Sequence, residues 1–112
     1  MSFEFEGGDP RVEEAFCGLS HVLDGLDDDM RDMTAEMLHQ FCWCCVKIRD
    51  LEHAVEEEGL IVVTERGARE NPAVGTMHKL TNQKAALYSK VVREVGARQP
   101  EAVDELRAFA AR

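Results

Sequence analysis

The chain lacks any stretch of about 18 consecutive apolar residues, so no segment is built to cross a bilayer as a helix. Its start, Met1-Ser2-Phe3-Glu4-Phe5-Glu6, has neither the basic nor the apolar region of a secretion signal, which points to the cytoplasm. No Gly-x-x-x-x-Gly-Lys-Ser/Thr phosphate loop is present, and no persuasive set of nuclease carboxylates, so nucleotide hydrolysis and strand cleavage have no visible machinery. A disulfide framework is lacking too. Three of the cysteines, Cys42, Cys44 and Cys45, crowd into one helical stretch and only Cys17 stands apart, as expected of a reducing compartment.

Two long amphipathic helices dominate what is there. Met30, Met33, Met37, Phe41, Cys44, Ile48, Leu51 and Val55 recur every three or four residues, and at about 100° per residue they fall in a sector of roughly 80°. So narrow a seam suggests coiled-coil-like packing. Gly59 closes this helix. Leu60-Ile61-Val62-Val63-Thr64 is β-branched and too short for a helix, and with Gly67 in a turn it predicts a small β-hairpin over 60–70. Asn71-Pro72 then pairs a preferred N-cap with a proline suited to the first helical position. The returning helix carries Val74, Met77, Leu80, Leu87, Tyr88, Val91, Val92 and Val95 on one face and stops at Gly96.

The flanks are shorter. Residues 1–8 are expected to be disordered. Asp9-Pro10 repeats the cap-plus-proline signal, and Val12, Phe16, Leu19, Leu23 and Leu26 follow at helical spacing, interrupted by Gly18 and Gly25. Asp27-Asp28-Asp29 is the right chemistry for a divalent cation, but its place before a helix makes capping and the helix dipole the cheaper account. After Gln99-Pro100 a terminal helix has Val103, Leu106 and Phe109 on one face. The expected architecture is all-α: a single helical domain over 9–112, with a long helix at about 29–58, the β-element at 60–70, a return helix at 72–95 and a terminal helix at 100–111.

The formal charge of −9 hides a strong asymmetry. Residues 1–65 hold 17 acids against 4 bases, whereas residues 66–98 hold 7 bases against 2 acids, a local balance of +5. Phosphate contacts depend on local potential rather than on the total. Arg66 and Arg69 flank Gly67 at the turn, and Lys79, Lys90 and Arg93 share a 60° stripe on the returning helix, opposite its apolar face. These five are the candidate DNA-binding residues. Lys84 falls on the apolar face, where it either snorkels or pairs with an acid of the long helix such as Asp50 or Glu57.

The order of parts resembles the phage terminase small subunits, a family of short, mostly helical proteins. The resembling residues are Phe41-Cys42-Trp43, where the family tends to show an aromatic-Cys pair, then Glu58-Gly59-Leu60-Ile61-Val62-Val63-Thr64, Gly67 and Asn71-Pro72-Ala73. A looser match follows at Val95-Gly96 and Pro100, so that the likeness runs from about Val12 to Pro100. The chain departs from the pattern beyond Pro100, where Glu101, Asp104 and Glu105 replace the family's more basic character. The resemblance implies a non-catalytic protein of the bacterial host cytoplasm that assembles into rings. It would bind double-stranded phage DNA at the packaging site and present it to the terminase large subunit, which holds the ATPase and nuclease.

Met37, Phe41, Trp43, Cys44, Ile48, Leu51 and Val55 are the candidate contacts between copies. Trp43 projects away from the seam, either toward a neighbouring copy or under the N-terminal helix. A metal site from His39, Cys42, Cys44 and Cys45 is disfavoured, because Cys44 points into the seam and no second ligand cluster exists; neither metal nor cofactor is expected. His21, His53 and His78 form no constellation. A helix-turn-helix in the N-terminal segment would lack a basic recognition helix. The competing reading is an acidic helical adaptor that makes protein contacts alone.

Overall fold

Three short polar side chains start three helices. In the computed structural model, which describes residues 9–111, Asp9 caps α1 (Pro10–Leu19) by accepting from the Arg11 N–H, and Asp27 caps α2 (Asp28–Glu58) by accepting from the Met30 N–H at 3.0 Å. Asn71 caps α3 (Pro72–Gly96) by accepting from the Ala73 N–H at 3.0 Å. Each side chain satisfies a donor that the first helical turn leaves unpaired. Asp28 and Asp29 sit in the first turn of α2, where the dipole favours carboxylates. The expected disorder of 1–8 lies outside the described residues.

The element order is α1, a 3-10 turn (Ser20–Leu23), α2, β1 (Ile61–Thr64), β2 (Gly67–Glu70), α3 and α4 (Ala102–Ala110). This is the expected all-α architecture with a small β-hairpin between the long helices. Where apolar residues keep helical spacing from Val12 to Leu26, the backbone changes period. α1 stops at Leu19, the Ser20 hydroxyl takes the Cys17 carbonyl at 3.0 Å, and the tighter turn begins. Ser hydroxyls compete for helical carbonyls in this way.

Helices α2 and α3 pack antiparallel along their lengths, and α1 and α4 lie against them. Phe41, Cys44 and Ile48 of the α2 seam bury against Leu80, Leu87, Val91 and Val95 of α3. Helix α4 closes the core with Leu106 and Phe109, whose ring lies 6.0 Å from that of Phe41. Two cations hold the end of α4: Lys84 Nζ donates to the Ala110 carbonyl at 2.9 Å and Arg49 Nη2 to the Phe109 carbonyl at 3.1 Å. Lys84 therefore pairs with neither Asp50 nor Glu57. A helix C-terminus offers unsatisfied carbonyls and a partial negative charge, and α4 brings them within reach of the ammonium.

The hairpin pairs Ile61 with Glu70, Val62 with Arg69, Val63 with Ala68 and Thr64 with Gly67. The turn is therefore Glu65-Arg66. Two-residue hairpin turns usually need positive φ at their central residues. Here no described non-glycine residue has positive φ; Gly67 takes it instead, at 111°. Gly67 is thus the first residue of β2, one place beyond its expected position in the turn.

Candidate nucleic-acid interface

Asn71 anchors the basic segment. Its side chain, nearly fully buried, accepts from the Ala73 N–H while donating through Nδ2 to the Gly59 carbonyl at 2.9 Å. Its own N–H donates to the Leu60 carbonyl at 2.7 Å. One residue therefore ties the end of α2, the base of the hairpin and the start of α3, and the hairpin projects from this clasp.

Arg66 and Arg69 are exposed on the hairpin, and Lys79, Lys90 and Arg93 are exposed along α3. Leu80, Leu87, Val91 and Val95 bury the opposite side of the same helix, so the basic stripe faces away from the core. Asn82, Gln83 and Ala86 lie exposed between the lysines. Arg93 Nε is 3.9 Å from Glu94 Oε1, too long for a strong ion pair, and the contact leaves the guanidinium three-quarters exposed. The structure brings Lys79, Lys90 and Arg93 onto one face; Arg66 and Arg69 sit on a separate element beyond the helix N-terminus.

The candidate contacts between copies divide. Phe41, Cys44 and Ile48 are buried within the chain, because α3 and α4 cover the middle of the seam. Met37, Leu51 and Val55 are half-buried at its rim. Trp43 is 40% exposed, on the side of α2 where His39 and Lys47 meet Glu13 and Asp9, and Met33, at the edge of the seam sector, is 52% exposed.

The cysteine cluster reads as core. Cys42 and Cys45 do stand at a Cys-x-x-Cys spacing, but both are buried. Burial pushes the Cys42 thiol up to about 12 and the Cys44 thiol up to about 11, and raises Cys45 as well. Thiolate, the form that attacks electrophiles or binds metal, is disfavoured at all three. His39 Nε2 meets Glu13 Oε1 at 2.9 Å and His21 contacts Glu105, so both imidazoles join helices in pairs.

One ionic cluster was missed in the sequence because its members lie 38–39 residues apart. Arg11 reaches Asp50 through Nη1 at 2.7 Å and Asp9 through Nη2 at 2.7 Å, while Lys47 Nζ meets Asp9 Oδ2 at 3.0 Å. The Arg11 guanidinium and Lys47 hold the Asp9 carboxyl well below the usual range, and Arg11 lowers Asp50. An open groove of about 630 Å³ beside this cluster runs between α1, α2 and α4, lined by Leu19, Val46, Arg49 and Phe109 among others. The cations at its mouth are already engaged by carboxylates and the Phe109 carbonyl, which makes it a poor anion site. No helix among the described residues is long and apolar enough to cross a membrane.

A family model described as phage terminase, small subunit, matches residues 21–92, which include α2, the hairpin and most of α3. Compared with the curated proteins and with the solved structures, the chain has no significant match.

Proposed function

We propose that this chain, which belongs to the phage terminase small-subunit family, is a non-catalytic DNA-binding component that self-associates into a ring. In this reading it delivers double-stranded phage DNA to the large subunit in the cytoplasm of the bacterial host. Arg66, Arg69, Lys79, Lys90 and Arg93 are the assigned DNA contacts. The observation that carries the assignment is the exposed stripe on α3, in a segment of +5 balance within a chain of −9. Contacts of lysine and arginine with phosphates position a duplex without reading its bases. One copy offers few charges, and repetition around an assembly sums weak sites into useful affinity. Trp43 supports self-association, with Met37, Leu51 and Val55 at the rim of the same helix and Phe41, Cys44 and Ile48 as its internal backing. An exposed tryptophan is the type of anchor found at subunit contacts.

The test is a titration of duplex DNA across a salt series with wild type and Lys79→Ala/Lys90→Ala/Arg93→Ala. Each phosphate contact contributes about 0.9 to the slope of log affinity against log salt. The triple variant should bind more weakly and with a slope flatter by up to about 3 per engaged copy. Unchanged affinity and slope, with assembly intact, would favour the adaptor reading. The exposed apolar side chains of Trp43 and the hairpin are what recommend that alternative.

A further inference from the structure

Strand β1 exposes apolar side chains that the chain itself leaves uncovered: Val63 is 83% exposed and Ile61 58%. Side chains alternate between the two faces of a strand. Ile61 pairs with Glu70 and Val63 with Ala68, so these four share one face of the hairpin, apolar but for one carboxylate at its base. Val62, half-buried, and its partner Arg69 take the other face. A two-stranded sheet is marginal by itself and gains stability by packing against a helix. At these exposures no helix of the same copy covers the Ile61–Val63 face.

A second apolar surface lies between α3 and α4. An open groove of about 430 Å³ is walled there by Ala85 and Tyr88 of α3 and by Ala110 of α4. That is nearly three times the roughly 150 Å³ of an apolar cavity that takes a benzene ring. Its charged members are cations. The Lys84 ammonium is held by the Ala110 carbonyl, whereas the Arg107 side chain is 69% exposed, with Asp104 at 3.7 Å. No described carboxylate lines the groove.

We propose that the Ile61–Val63 face of one copy docks into the α3–α4 groove of the next, head to tail. The two surfaces are unlike, so each copy keeps one of them free for a further neighbour. Contacts of this kind close into a ring when the rotation between copies permits. The docking rests on the self-association in the function proposed above and specifies the surfaces it uses.

Charge selects this groove over the other. Docked between α3 and α4, Glu70 comes to the rim that carries Arg107, and opposite charges across a contact favour one partner and register. The larger groove between α1, α2 and α4 has Glu14, Asp50 and Glu105 in its wall, and its cations Arg11 and Arg49 are already engaged, so it disfavours a further carboxylate. The arrangement also leaves the basic stripe open. By helical spacing, Thr81, Lys84, Ala85 and Tyr88 centre about 160° around α3 from Lys79, Lys90 and Arg93. Arg69 sits on the hairpin face turned away from the groove, so DNA and the neighbouring copy compete for neither surface.

The test places new thiols in a Cys17→Ser background, which removes the one exposed cysteine and leaves three buried ones. Val63→Cys and Ala85→Cys chains, co-expressed, should be joined by a short bis-maleimide into a covalent dimer, and neither variant alone should be joined. The double variant should give a ladder beyond dimer, because each copy then carries both ends of the contact. Val63→Asp, checked for intact helicity, should weaken self-association more than tenfold by sedimentation, since it buries an unpaired charge. Glu70→Arg and Arg107→Glu should each weaken it several-fold, and the two together should restore it. If the wild type assembles while the co-expressed variants stay unlinked, the docking is refuted and self-association uses another surface, such as that around Trp43. Equal linking of Val63→Cys alone, or a double variant that stops at dimer, overturns the head-to-tail arrangement. A wild type that stays monomeric at tens of micromolar overturns this docking and the proposed self-association together.

Discussion

Replacing Asn71 with alanine removes two side-chain hydrogen bonds at once. The first is the N-cap bond to the Ala73 N–H, and loss of such a cap costs about 1 kcal/mol, within a range of roughly 0.5–2. The second is the Nδ2 bond to the Gly59 carbonyl, part-buried at the end of α2. A net hydrogen bond contributes about 1 kcal/mol, and an acceptor left without a partner adds to that cost. Together they predict a loss of about 2–3 kcal/mol. Asn71→Asp separates the two, because aspartate keeps the cap but sets a carboxylate against the Gly59 carbonyl. It should therefore be less stable than wild type even though it caps as well as asparagine does. Urea unfolding followed by circular dichroism at 222 nm measures both, with the m-value held constant as the check that only stability changed. Loss of less than about 0.5 kcal/mol in Asn71→Ala, the size of an ordinary surface change, would refute the clasp.

The cysteines give a second expectation: in native protein a thiol reagent at pH 8 should label Cys17 and spare Cys42, Cys44 and Cys45, with all reacting in denaturant. Their raised folded values mean stability complete below the unfolded thiol value of about 8.5 and lost as pH rises toward 11–12, which an alkaline series of Tm values reads. Asp9 behaves in the opposite sense. Its lowered folded value makes its contribution complete above the unfolded carboxyl value of about 3.9, fading as pH falls below it. Asp9→Asn, which preserves the cap, should be less stable than wild type at pH 6, and the gap should narrow toward pH 2.5. Thr34 is fully buried in α2, and its hydroxyl has no hydrogen-bond partner among the described residues. Thr34→Val should raise stability by about 1 kcal/mol in the same urea assay.

The legible parts of the fold were those set by neighbours in sequence. Asp9-Pro10, Asp27 and Asn71-Pro72 announce helix starts because a cap acts within three residues. Gly59 ends α2 with a φ of 88° that only glycine adopts readily. The seam showed which face of α2 turns inward, but periodicity cannot say what covers it. Phe41 and Met33 share the sector, and α3 buries the first while the second, at the sector's edge, stays exposed. Lys84 marks the same limit: its misfit on an apolar face was visible, yet its partner is a backbone carbonyl 26 residues away. In the candidate site, exposure of the five basic residues followed from helical spacing and turn position. The ion cluster on Asp9, Arg11, Lys47 and Asp50 had no local signature.

The clasp at Asn71 also bears on the speed and order of folding. Gly59 and Asn71 are only 12 residues apart, so closing this loop costs little chain entropy, and each further α2–α3 contact closes a loop only slightly longer than the last. Zipping outward from the hairpin is therefore the cheapest route for the two long helices. Contacts that form early are felt in the folding rate, whereas late ones are felt in the unfolding rate. Asn71→Ala should thus slow folding, with a φ-value approaching one, while truncations in α4 should mainly hasten unfolding.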